Sequence, residues 1–187
     1  PSKNNHGKIA SELKGLNAAH ASINGLTNAA PNSMPGRLNA YREASLAATA
    51  AADATATAAF DLQEAQIAEA GAQLGLASAM TALNDALAAQ TALASNADAT
   101  AAEIEAAAKA VETAEDRLED ARADVTIAQN ELTDAEIAAF DAVNEQEIAE
   151  NTVDTTFEAL TGDTELSEEA IAELDDMLGL TGQNIAA

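Results

Sequence analysis

Between Ile104 and Ala142 an apolar residue returns at every seventh position. Ile104, Val111, Leu118, Val125, Leu132 and Ala139 form one line. Three residues after each stands an alanine: Ala107, Ala114, Ala121, Ala128, Ala135 and Ala142. A strand alternates with a period of two and cannot hold such a line on one face, whereas an α-helix can. Six uninterrupted heptads with apolar a and d positions predict a coiled-coil seam. Alanine at every d position lets a partner helix approach closer than the usual 8–10 Å between axes.

The partner lies earlier in the chain. Ala44, Ala51, Ala58, Ala65, Ala72, Ala79 and Ala86 also recur by sevens, with Phe60, Ile67, Leu74, Leu76, Met80, Leu83 and Leu87 beside them. From about Arg37 to Ala94 there is no proline, and good helix formers dominate. The tract Ser95-Asn96-Ala97-Asp98-Ala99-Thr100 is a break. Thr100 and Glu103 fit a capping box that opens the second helix. Folding back near residue 97 predicts an antiparallel hairpin that sets Phe60 against Ala135, Ile67 against Ala128, Leu74 against Ala121 and Leu118 against Ala77. Each layer then pairs a large residue with a small one. The second helix is expected to reach Glu150 or Leu160, with Gly162 as its stop. Past Phe140 the register is expected to shift, with Phe140, Val143 and Ile148 continuing the stripe. Such a seam leaves Leu62, Leu76 and Met80 in search of a further partner.

Charge divides the chain. Residues 1–42 hold Lys3, Lys8, Lys14, Arg37 and Arg42 against Glu12 alone, although the whole chain has 32 Asp and Glu for 8 Lys and Arg and a net charge of −24. Asn24-Gly25, Pro31-Asn32-Ser33 and Pro35-Gly36 are turn signals. Residues 1–36 therefore read as a basic, partly irregular arm with a short amphipathic helix through Ile9, Leu13 and Leu16, stopped near Gly15. Residues 37–161 read as an acidic two-helix body, and residues 162–187 as a short amphipathic helix and tail. In that tail Ser167 fits an N-cap followed by Glu168 and Glu169. Leu166 and Ile171 fit a staple, Ile171, Leu174 and Leu178 a stripe, and Gly179 a C′ glycine. Leu-Thr-Gly occurs at 160–162 and 180–182, after each of two helices, and reads as a repeated stop. The fold class is all-α.

Composition excludes many chemistries. About a quarter of the chain is alanine, which buries little surface, and only 2% is aromatic. With no cysteine there is no disulfide, thiol nucleophile or thiolate metal site. His6 and His20 are the only histidines, and few carboxylates lie near them in sequence. Asp163-Thr164-Glu165 lacks the spacing of a calcium loop. The run Glu115-Asp116-Arg117-Leu118-Glu119-Asp120 reads as a solvated face. No phosphate-binding glycine loop or catalytic motif occurs. The expectation is no enzyme activity, no metal and no cofactor. A charge of −24 argues against nucleic acid as a partner, and no apolar run approaches the ~20 residues of a membrane span.

The stretch Asn5-His6-Gly7-Lys8-Ile9-Ala10-Ser11-Glu12-Leu13-Lys14-Gly15-Leu16-Asn17-Ala18-Ala19-His20-Ala21 resembles an N-terminal stretch of secreted bacterial proteins of uncharacterised function, and residues 28–38 are similar to the next segment of those proteins. The resemblance covers the first quarter and implies export to the outside or the surface of the cell, with the leader already removed, since Pro1 opens without an apolar region. Three functions are then open. The first is a structural, self-assembling subunit, for instance of an extracellular or cell-surface filament. In it the arm (Lys8, Ile9, Leu13, Lys14, Leu16) docks on the acidic body of a neighbour around Leu62, Leu76 and Met80, so the partner is the chain itself. The second is a discrete helical bundle acting as a binding or spacer module. The third is an ice-binding helix around Thr49, Thr55 and Thr57, whose irregular spacing argues against it.

Overall fold

The computed structural model describes residues 5–162 and 164–181; Lys3, Asp163, Gly182 and the side chains of Asn5, His6 and Asn17 lie outside the described structure. All regular structure among the described residues is helical. Helix α1 spans Asn5–Glu12 and is followed by a 3-10 segment, Leu13–His20. Helix α2 spans Ile23–Thr27, α3 Met34–Ala94, α4 Ala101–Thr161 and α5 Glu168–Met177. Helices α3 and α4 pack antiparallel as a hairpin. By contacts the chain forms two compact units: residues 1–56 with 141–187, and residues 57–140. The ends of the chain and the open end of the hairpin thus belong to one unit. This division differs from the arm, body and tail expected from charge and composition.

The helix ends follow local chemistry. Helix α3 begins three residues before Arg37 because Ser33 caps it: the Ser33 hydroxyl accepts from the Gly36 N–H at 3.2 Å. Pro35 then falls in the first turn, where its missing N–H is harmless. Gly36 is required by contact, since a Cβ there would stand 2.1 Å from the Ala30 carbonyl oxygen. At the start of α4, Thr100 and Glu103 form the reciprocal capping box. The Thr100 N–H donates to Glu103 Oε2 at 2.8 Å, and the Glu103 N–H donates to Thr100 Oγ1 at 3.3 Å. The bonds from Thr100 hold the Glu103 carboxyl below its ordinary range. Helix α4 ends at Gly162, whose φ of 57° lets its N–H turn back to the Glu158 carbonyl at 2.8 Å. Helix α5 ends in a Schellman turn, with Gly179 at φ 71° and the Leu180 N–H on the Asp175 carbonyl at 2.8 Å.

The hairpin seam corrects the expected register by two residues. In α3 the covered positions run Ala44, Ala48, Ala51, Thr55, Ala58, Leu62, Ala65, Glu69, Ala72, Leu76, Ala79, Leu83, Ala86 and Gln90, spaced alternately by four and three. The alanine line is therefore the d line, and the a line includes Thr55, Glu69 and Gln90. Polar residues at those places are what hid it. Phe60, Ile67 and Leu74, expected in the seam, are 58%, 65% and 74% exposed. Leu62 and Leu76, expected to be left over, occupy the seam instead. The anchor is Thr55, whose hydroxyl donates to the Ala142 carbonyl at 3.0 Å. Counting by heptads from that pair sets Leu62 opposite Ala135, Leu76 opposite Ala121, Leu83 opposite Ala114 and Ala79 opposite Leu118. Gly75 and Ala79 share one shallow groove with Arg117 and Ala121, as that register requires. Large still faces small; both registers satisfy that rule, so the rule alone could not choose between them.

In α4, Ala107, Val111, Ala114, Leu118 and Ala128 are buried, and Ala121, Val125, Leu132 and Ala135 half-buried. Ile104, near the hairpin tip, is 43% exposed. The expected shift past Phe140 does not occur. The same heptad continues through Ala142, Gln146, Ala149, Val153, Thr156 and Leu160, while Phe140, Val143 and Ile148 are exposed. An unbroken helix keeps its period whatever the side chains, so position overrules size.

Candidate assembly surfaces

The basic arm does not project from the chain. Leu13, Leu16, Ala19 and Leu26 are buried in one cluster with Leu38 and Tyr41 of α3, Leu160 of α4 and Ala170, Leu174 and Leu178 of α5. The apolar stripe read from Ile9, Leu13 and Leu16 is real, with Ile9 packed at the edge of that cluster. Its helix, however, gives way at Leu13 to the 3-10 segment, in which Leu16 leaves helical geometry at φ −107°, ψ 19°. Lys8 and Lys14 are exposed; Lys8 Nζ lies 3.6 Å from Glu12 of its own helix. Within the chain the apolar anchors of the arm are thus covered by the foot of α3, Leu160 and α5, and not by the surface around Leu62, Leu76 and Met80 on which the arm of a neighbour was expected to dock. The sequence could not decide this, because the ends of a chain meet only through tertiary packing.

Polar bonds fasten the same unit. Glu12 Oε2 accepts from the Ser167 N–H at 3.0 Å and from its hydroxyl at 2.6 Å. Ser167 stands at the N-cap of α5 as expected, but its hydroxyl makes no cap bond to that helix. The two bonds from Ser167 hold the Glu12 carboxyl below its ordinary range, with Lys8 adding to the effect. The Tyr41 hydroxyl donates to Asp175 Oδ1 at 2.9 Å, and its ring lies 5.5 Å from that of Phe157. Burial pushes the Tyr41 phenol up to about 12, with the Asp175 carboxylate reinforcing it. Burial also raises Asp175, against the lowering effect of the Tyr41 bond. Two arginines close helix ends: Arg42 Nε donates to the Leu178 carbonyl at 3.1 Å and Arg37 Nη1 to the Ala159 carbonyl at 3.3 Å. Positive charge is favoured at such termini. Tyr41, Asp175 and Ser167's partner Glu12 carried no periodic signal in the sequence.

Residues 57–140 present a different surface. Phe60, Ile67 and Leu74 repeat by sevens on the outer side of α3, two residues before each seam position of the a line. Met80 is 50% exposed and stands next to the seam. Of the three threonines named for an ice-binding helix, Thr49 and Thr55 are half-buried, with their hydroxyls 3.0 Å from the Ser45 and Ala51 carbonyls, and Thr57 is exposed. Among the described residues no group of three or more His, Asp or Glu side chains is placed to hold a metal ion, and no helix is long and apolar enough to cross a membrane. No protein-family model, curated protein or solved structure matches the chain.

Proposed function

We propose that the protein is a structural, non-catalytic building block that self-associates outside the cell or at its surface, as a subunit of a filament or comparable assembly. The observation that supports this best is the row of Phe60, Ile67 and Leu74, each more than half exposed on a chain otherwise rich in alanine and acid. Large aromatic and aliphatic side chains in such a row mark an interaction surface. The arm does not make the contact between copies, because its apolar anchors are covered within the chain; the hairpin does. Placement outside the cell rests on the N-terminal stretch around residues 5–21. The acidity of the hairpin disfavours nucleic acid as a partner.

A second reading is a discrete spacer or binding module, favoured by the arm's docking on its own chain. Sedimentation velocity over a wide concentration range separates the two. A sedimentation coefficient that grows with concentration, with ordered particles in electron micrographs, is the outcome expected for the building block. A monomer at every concentration would leave the spacer module.

A further inference from the structure

We infer that the outer face of α3 around Ile67 is a two-fold interface, on which the same face of a second copy of this chain packs antiparallel. The inference rests on the self-association reading and names the surface that carries it. Three observations point to this occupant. The first is the pattern. Ile67 is followed three residues later by Ala70, and Leu74 by Ala77. The α4 seam is built the same way, with Val111 and Ala114, then Leu118 and Ala121. Within the hairpin that pattern faces an antiparallel helix and sets each large residue against an alanine. A second copy laid antiparallel repeats the arrangement at two of the three anchors: Ile67 meets Ala70 of the other copy and Phe60 meets its Ala77, while Leu74 lies along Gln63. Successive anchors along the helix stand about 10.5 Å apart, two turns.

The second observation is charge. A chain of −24 repels copies of itself over most of its surface. From Ala65 to Asn84 the only charged residue is Glu69, which is half-buried at the hairpin seam, and the contact from Phe60 to Ala77 adds only the exposed Asp61 and Glu64 at its Phe60 end. The α4 stretch across from it, Thr113 to Leu132, carries eight charged residues. The α3 face is where two copies meet with least repulsion, and pairing there keeps both acidic α4 helices outward. A cationic partner would instead be drawn to α4. The third observation is room. A Cβ at Gly71, between Ile67 and Leu74 on this outer side, would meet nothing within 4 Å. Bare backbone at that point lets a second helix come close, as the alanines do inside the hairpin. The contact is isologous, so it closes as a dimer and serves as the repeating unit of any larger assembly.

The full-length chain contains no cysteine, so introduced thiols report without background. Ala70→Cys stands near the proposed axis and should cross-link to itself. Ala77→Cys alone should not, but a mixture of Ala77→Cys and Phe60→Cys chains should give the heterodimer. Ile67→Glu should raise the dimer dissociation constant at least tenfold in sedimentation equilibrium while circular dichroism stays helical, because Ile67 lies outside the hairpin seam. If the unmodified chain is monomeric throughout, both the interface and the self-association reading fall. If it associates, but Ile67→Glu associates equally well or Ala70→Cys does not cross-link, this face is wrong and self-association stands. Efficient cross-linking of Ala77→Cys with itself would overturn the antiparallel arrangement.

Discussion

Glu12 and Ser167, 155 residues apart, are joined by two hydrogen bonds to one carboxylate oxygen, at 2.6 and 3.0 Å. In a capping box the N3 carboxylate reaches back to the N-cap N–H of its own helix. Here the carboxylate comes from α1 and reaches the N-cap of α5, so the start of one helix is finished by the end of another. An ionised carboxylate accepts both bonds more strongly than a neutral carboxyl or an amide oxygen would.

The Glu12 carboxyl is held down by Ser167 and Lys8, so its contribution is present above the unfolded carboxyl range and fades as pH falls through the folded value. Glu12→Gln is therefore expected to lower the melting temperature at pH 7. The gap from the unmodified chain should narrow steadily in acid. A gap that is constant with pH would mean that the carboxylate charge plays no part.

Leu62 and Phe60 test the seam. Leu62→Ala should destabilise the chain by about 1–2 kcal/mol, since Leu62 is half-buried opposite Ala135. Phe60→Ala should change it by less than about 0.5 kcal/mol in dilute solution, where Phe60 faces water. Urea titrations at low protein concentration give both values, and the reverse order would restore the register in which Phe60 faces Ala135.

Ala114 tests how closely the helices approach. It is 5% exposed and stands opposite Leu83. Ala114→Leu has no room and is expected to cost about 1–3 kcal/mol. Ala123→Leu, on the exposed side of the same helix, should be nearly neutral. Thermal melts of the two variants should differ clearly.

Tyr41 is the sole tyrosine, so its ionisation can be followed by ultraviolet absorbance without overlap. It should titrate near 12 in the folded chain and near 10 once urea unfolds it. Because the folded value is the higher one, the stability that the neutral phenol contributes is complete below pH 10 and lost as pH rises towards 12. Tyr41→Phe should remove that alkaline loss, while lowering stability at pH 7 through the missing bond to Asp175.

Charge makes the last prediction. The chain carries −24, and every acidic side chain of α4 is exposed. Salt should therefore raise the melting temperature and strengthen association, by screening repulsion rather than attraction. Destabilisation on going from low to moderate salt would show that attractive pairs dominate.

Some of this was written in the sequence. Helix type follows from a seven-residue period that no strand can express. The turn at 95–100, the capping box of Thr100 and Glu103, and the stops at Gly162 and Gly179 follow from local backbone chemistry, which needs only neighbours in the chain. Other features exist only in three dimensions. The lines through Phe60 and through Leu62 both repeat by sevens and both pair large with small. The choice fell to the helix packing, which set the alanine line of α3 inside together with Thr55, Glu69 and Gln90. Phe140, Val143 and Ile148 drew attention by size, yet an unbroken helix kept its register and turned them outward. The place of the basic arm was likewise decided by tertiary packing. Leu13 and Leu16 needed an apolar partner, and the sequence named no distance at which to find one. Only when the hairpin returned Leu160 and α5 to the foot of α3 did a cluster form beside Tyr41 that could cover them.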